Sequence, residues 1–216
     1  MSDLFHIPHH IQQTAIERMG DAPVEGFVIS KASANVRIMI VGEAPGENEA
    51  VEGVPFIGRA GKVLEQMMEI AEITRDDVFM TSAVRSRPYR WGTKKLRDGS
   101  TIERKYNRPP TKKEILAHAG VLDYEIEHIQ PELIIPVGSV GFTRLLGPDW
   151  KLKEYQGKVI SHEIRKLAGN DYGWTNRNYT LIPTLHPASI FYRPSLKDSM
   201  IADWTAIGEF LKNNLV

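Results

Sequence analysis

The sequence predicts a three-layer α/β/α sandwich around a mostly parallel central sheet, and three observations carry that reading. Short, continuous apolar runs rich in β-branched residues recur along the chain, as strands buried on both faces require. Between them lie longer stretches whose apolar residues fall at helical spacing. Apolar strands that alternate with helices pair in parallel and are covered on both sides. The length, 216 residues, suits one such domain, spanning residues 1–216.

The elements follow in order. Residues Ile11 to Met19 predict a short helix within a mixed, polar first region that ends near Ala34. Val36 to Val41 reads as a buried strand that runs into a glycine-rich loop, Gly42-Glu43-Ala44-Pro45-Gly46. Val63, Leu64, Met67, Met68 and Ala71 give Ala60 to Ile73 a helical stripe, and Asp77 to Val84 is the second strand. Thr111 to Ile129 is the clearest helix, with Thr111 and Glu114 in a capping-box pattern. Leu133 to Val137 is a third strand, and Gly138-Ser139 opens a short helix through Leu145. Tyr179 to Pro183 is a fourth strand, followed at once by Leu185-His186-Pro187, and Ile201 to Leu215 is a closing amphipathic helix. Three of the four strands end in unusual loops (42–46, 82–88 and 186–189), and loops at the carboxyl ends of parallel strands are the usual ligand site.

Composition narrows the function classes. The sequence is 42% hydrophobic and 25% charged, with no cysteine. Disulfides, thiolate zinc sites and cysteine-bound clusters are therefore excluded, which fits a cytoplasmic protein. Met1 to His10 lacks the pattern of a secretory signal, and no apolar stretch approaches the roughly 20 residues of a membrane helix. Formal net charge is zero, so any pull toward nucleic acid must come from uneven charge distribution. His6, His9 and His10 have no carboxylate or cysteine partner nearby and read as surface residues, so neither a metal nor another cofactor is expected.

The motif that carries most is long. Gly42-Glu43-Ala44-Pro45-Gly46 is followed by Glu49, Gly53, Pro55-Phe56-Ile57-Gly58 and Ala60-Gly61, and far downstream by His186-Pro187-Ala188-Ser189. Between them lie Arg87-Pro88, Pro131 to Ile135 and Gly138. In order and spacing these resemble the motifs of the bacterial and archaeal family 4 uracil-DNA glycosylases, over about Val36 to Phe191. The resemblance implies their α/β/α fold and hydrolysis of the bond between a damaged base and its deoxyribose. Two departures stand out. That family holds an iron–sulfur cluster on four cysteines, whereas here one cysteine position is Ser86 and the next falls near His118, so the cluster is expected to be absent. The family asparagine that reads uracil is here Ser82, whose hydroxyl lacks the amide's paired donor and acceptor.

Glycosidic cleavage builds positive charge on the sugar and negative charge on the departing base, once the base has left the stack. It calls for a donor at the base oxygen, an aromatic face and a placed water. His186, at a strand end and stiffened by Pro187, is the expected donor. By the resemblance, Phe56 would stack on the flipped base, the backbone of Glu43 and Ala44, flanked by small residues such as Gly42, would approach its edge, and Ser82 would face that edge. Glu43 is the expected catalytic carboxylate, steadying the sugar or orienting water, and Glu49 is expected to position substrate or hold water. Arg85, Arg87 and Ser189 are expected to meet DNA. Phe191, Tyr192 and Arg193 stand where family members insert a wedge, with nothing to choose among them.

Residues 85–113 are rich in Arg and Lys, interleaved with Tyr89, Trp91 and Tyr106. Cations bind phosphates and aromatic rings stack on bases; the segment suits a hairpin turning at Asp98-Gly99. The expected partner is DNA carrying a deaminated base, uracil first, met by a monomer. One rival is a nucleic-acid-binding module of the same fold without catalysis, which Ser82 favours. Another is a protein binding a free nucleotide or base, with Gly42 to Gly46 as an anion cradle; that loop lacks the spacing of a dinucleotide fingerprint or P-loop.

Overall fold

A computed structural model describes residues 5–30, 32 and 35–215; the Met1 to Leu4 part of the leader reading lies outside them. The strands are β1 (Val24–Glu25), β2 (Ile38–Gly42), β3 (Val78–Ser82), β4 (Arg87–Lys95), β5 (Thr101–Asn107), β6 (Leu133–Pro136), β7 (Ile160–Ala168) and β8 (Asp171–Leu181). The α-helices are α1 (His9–Met19), α2 (Glu47–Glu52), α3 (Arg59–Ile70), α4 (Lys112–Ala117), α5 (Ala119–Ile129), α6 (Ser139–Leu146), α7 (Leu152–Tyr155), α8 (Ser189–Tyr192) and α9 (Lys197–Asn214).

The central sheet has the order β3-β2-β6-β8-β7. Its first four strands run parallel, and β7 pairs antiparallel with β8 at one edge. The period-2 alternation of a strand sorts β2 and its neighbours onto two cores. Met39, Val41, Phe79, Ile134 and Leu181 pack with Val121, Leu122 and Ile126 of α5 and Phe142 of α6. Ile38, Ile40, Met80 and Ile135 pack with Leu64, Met67 and Met68 of α3 and Trp204 and Ile207 of α9. The three layers expected from the sequence are present. No helix among the described residues is long and apolar enough to cross a membrane.

Several elements differ from expectation. The helix over Thr111 to Ile129 is two helices that meet at His118 (φ −91°, ψ 0°). The capping box at Thr111 and Glu114 is formed. However, the Glu114 carbonyl also accepts from the ring Nδ1–H of His118, at 3.0 Å, so a side-chain donor competes with the backbone ladder there, a recognised cause of kinks. The fourth strand is longer than expected, starting at Asp171, and β7 beside it had no counterpart in the sequence reading. A second, antiparallel sheet, β1-β4-β5, stands apart from the first. Its β4–β5 hairpin turns at Asp98-Gly99, where Gly99 has φ +88° and the Asp98 carboxylate accepts from Ser100 N–H at 2.9 Å.

Candidate active site

Three strand ends converge on one cleft of about 590 Å³. Its lining includes Glu43, Ala44 and Glu49 after β2, Phe56 and Arg59 before and within α3, Ser82 at the end of β3, His186 beyond β8, and Phe191 and Tyr192 of α8. A smaller cavity of about 260 Å³ lies between α5 and the β7–β8 pair, lined by none of these motif residues.

Two glycines of the first motif, Gly42 and Gly61, make room for Phe56. Its backbone is left-handed, φ 55°, which is strained for an aromatic residue. A Cβ on Gly61 would come within 1.8 Å of the Phe56 carbonyl oxygen, and one on Gly42 within 2.5 Å of its ring. Arg75 clasps the same loop, donating to the Phe56 carbonyl at 3.0 Å and to the Pro55 carbonyl at 2.5 Å. The ring therefore rests on the end of β2, and Gly42 makes room for the ring as much as for any ligand.

Glu49 is buried, and its carboxylate accepts from Gly58 N–H at 2.9 Å. Its other oxygen lies where a Cβ on Gly46 would be, 2.7 Å away. Glu49 thus ties α2 to the turn that opens α3. Glu43, on the cleft wall, has a carboxyl that burial pushes above the usual carboxylate range. Its carbonyl accepts from Val84 N–H at 3.1 Å, which fixes the loop to the end of β3. Ser82 is buried on the cleft wall, and its hydroxyl donates to the Val84 carbonyl at 2.8 Å. Only its lone pairs are left for a ligand.

His186 follows a parallel bridge between Val137 and Thr184 that extends the β6–β8 pairing. Its ring packs on Gly138, where a Cβ would lie 2.8 Å from the His186 Cβ. The Ala188 N–H donates to Nδ1 at 3.1 Å, so the proton of the neutral ring sits on Nε2. Burial holds the imidazole below its ordinary pKa, which favours that neutral form. Behind the loop, the buried Asp203 of α9 accepts from the Thr184 hydroxyl at 2.7 Å and from Gln156. Asp203, Arg59 and Asn107, all at or behind the cleft, escaped the sequence reading. Arg59 was visible inside the Gly58 to Gly61 motif; Asp203 had no local signal.

Two expected DNA contacts are corrected. Arg85 is fully buried and ion-pairs with Glu125 of α5, which also accepts from the Thr81 hydroxyl at 2.6 Å. Arg87 is buried as well and donates to Glu25 and to Asn107, each at 2.6 Å. Desolvated cations persist inside a fold when paired, and paired and covered ones offer nothing to a phosphate. Ser189 opens α8, with its Oγ buried. The Arg59 guanidinium lies 4.6 Å from the Phe191 ring centroid, Tyr192 is 85% exposed, and Arg193 is exposed beside it.

Residues 29–206 match the Uracil DNA glycosylase superfamily. The chain belongs to that superfamily. It is 34% identical over 189 residues to the type-4 uracil-DNA glycosylase of Saccharolobus solfataricus, covering 86% of this chain and 76% of that one. The corresponding enzyme of Sulfurisphaera tokodaii is 35% identical, covering 89% and 75%. That of Thermotoga maritima is 30% identical, covering 86% and 83%.

The residues at the positions aligned with cluster cysteines do not fit an iron–sulfur cluster. Ser86 and His118 are buried side by side, with Ser86 Oγ 3.5 Å from His118 Nε2 and the Phe27 ring 5.9 Å from the imidazole. A hydroxyl, a neutral ring and an aromatic side chain fill that interior, and the sequence holds no thiolate.

Proposed function

We propose that this protein hydrolyses the N-glycosidic bond of uracil flipped out of DNA into the 590 Å³ cleft, the first step of base excision repair. The observation that carries the reading is the tautomer of His186. With Nδ1 accepting from Ala188 N–H, a neutral imidazole keeps its donor at Nε2, and a preorganised donor facing developing negative charge is worth roughly 3–4 kcal/mol.

In this scheme the flipped uracil stacks on Phe56. The bond between the sugar C1′ and the base nitrogen breaks, and its electron pair leaves with the base. His186 Nε2–H stabilises the resulting anion at a base oxygen. Glu43, as the carboxylate, steadies the cationic sugar and takes a proton from the water that adds to C1′; free base and an abasic sugar result. Ser82 accepts from the imide N–H of the base through its remaining lone pairs. Tyr192, at 85% exposure against 39% for Phe191, is the wedge we assign, since the Phe191 ring already meets the Arg59 guanidinium. A second reading, binding without catalysis, draws on the Ser82 hydroxyl being turned to Val84.

An oligonucleotide carrying one uracil, single- or double-stranded, followed by alkaline cleavage of abasic sites, tests both. Strand scission that falls at least tenfold in His186→Ala, with DNA affinity retained, is the expected result. Binding without scission by the native protein would move the conclusion to the second reading.

A further inference from the structure

The antiparallel register of the β4–β5 hairpin sorts its side chains onto two faces that differ in charge. Tyr89, Trp91, Thr93 and Lys95 stand opposite Asn107, Lys105, Glu103 and Thr101, whereas Arg90, Gly92 and Lys94 stand opposite Tyr106, Arg104 and Ile102. On the first face charge is answered: Lys105 is bonded to Glu25, and Glu103 projects there too. The second face holds Arg90, Lys94 and Arg104 and no carboxylate of either strand. Arg90 and Lys94 are exposed and have no ion pair among the described residues. The Tyr106 ring lies over Gly92, where a Cβ would come within 3.0 Å of it. The guanidiniums of Arg90 and Arg104 stand 5.7 and 5.9 Å from the ring centroid. Midway along its length this face meets the cleft, because Arg104, opposite Gly92, bonds Glu47 at 2.8 Å and Glu47 lines the cleft.

We propose that the Arg90–Lys94–Arg104 face is a phosphate track for the DNA strand that leads away from the flipped nucleotide. Side chains on one face of a strand repeat about every 6.8 Å, so Arg90 to Lys94 spans about 14 Å. That length matches about four nucleotides at roughly 3.4 Å of rise per strand. Contacts of this kind hold a strand without reading its sequence, as a search for a rare base requires. Glu47 is the switchable element beside the middle of the track: a phosphate competes with it for Arg104. The proposal rests on the glycosylase reading for what occupies the cleft, but its test is separate.

The measurement is the affinity of the full-length protein for a labelled, uracil-free duplex across a series of potassium chloride concentrations. In Arg90→Ala/Lys94→Ala/Arg104→Ala the slope of log K against log salt should become shallower by about 2 to 3, at roughly 0.9 per lost phosphate contact, with at least tenfold weaker binding at low salt. A control, Lys95→Ala/Lys112→Ala/Lys113→Ala, removes the same charge outside the face and should change the slope by less than one. Equal slopes in the native protein and the first variant overturn the track, and so does an equal loss in the control. Uracil release by the native protein separates the two readings. Release with unchanged slopes overturns the track alone, whereas a changed slope without release keeps the track and overturns the glycosylase reading.

Discussion

Acid should destabilise this protein through His118. In the fold its Nδ1–H donates to the Glu114 carbonyl, and Nε2 faces Ser86 beside Phe27. Burial, with Arg85 nearby, lowers its pKa from 6.5 to about 4. The unfolded chain binds this proton from about pH 6.5 downward, while the fold refuses it until about pH 4. The stability that a neutral His118 contributes is therefore complete above pH 6.5 and lost as pH falls toward 4. At roughly 1.4 kcal/mol per pH unit, the loss is about 2.5 kcal/mol by pH 4.5 and about 3.4 kcal/mol in full. Urea unfolding followed by tryptophan fluorescence, from pH 7.5 to 4.5, should show this in the native protein. His118→Gln should be less stable at pH 7.5 yet lose about 2.5 kcal/mol less across the same range. His186, also shifted downward by burial, titrates in both proteins and cancels in the comparison. Parallel stability curves for the two would refute the assignment.

Other substitutions follow from the cleft. Burial raises the pKa of Glu43, so the fold favours its protonated form, and the ionised form is a burden that grows as pH rises through that pKa. Glu43→Gln should accordingly raise the urea midpoint at pH 8 while base release falls; an unchanged or lower midpoint would count against a desolvated carboxylate. In the native enzyme the acid limb of the rate should lie above the ordinary carboxylate value of 4.5 and vanish in that variant, as a pH–rate profile would record. Gly61→Ala forces the Phe56 carbonyl aside and should cost about 1–3 kcal/mol in thermal or urea unfolding, together with a slower single-turnover rate; a variant of native stability would mean that the loop has slack. Ser82→Asn restores a two-point amide and should raise the preference for uracil over hypoxanthine at least tenfold in competition assays. No change would mean that this side chain does not meet the base.

The parallel strands were legible because they are buried on both faces and read as apolar runs, Ile38 to Val41 and Leu133 to Ile135 above all. The edge was not. In β7 only Ile160 and Ile164 are buried, and the first half of β8 is polar and half-exposed, so neither shows a continuous run or a clean alternation. The hairpin could be read only through Asp98-Gly99. At the site, Glu43, Phe56, Ser82 and His186, each singled out in the sequence, line one cleft. The direction of a hydroxyl did not show in the sequence, and Ser82 turns its proton to Val84. Nor did Arg85 announce itself as interior, because its partner Glu125 lies 40 residues away in the chain and only the fold brings them together. The bond from Gly58 N–H to Glu49 was hidden for a similar reason, since it depends on a loop closing on itself.

The two residues to which the proposed scheme gives the donor and the reading of the base, His186 and Ser82, sit on separate strand ends. His186 is fixed by Gly138, Ala188 and the Thr184–Asp203 bond, all beyond β6 and β8, while Ser82 belongs to β3 on the far side of β2. No hydrogen bond among those that fix one of these residues fixes the other. On the proposed scheme, a substitution at position 82 can therefore change which base is read while the contacts that hold the His186 ring stay in place.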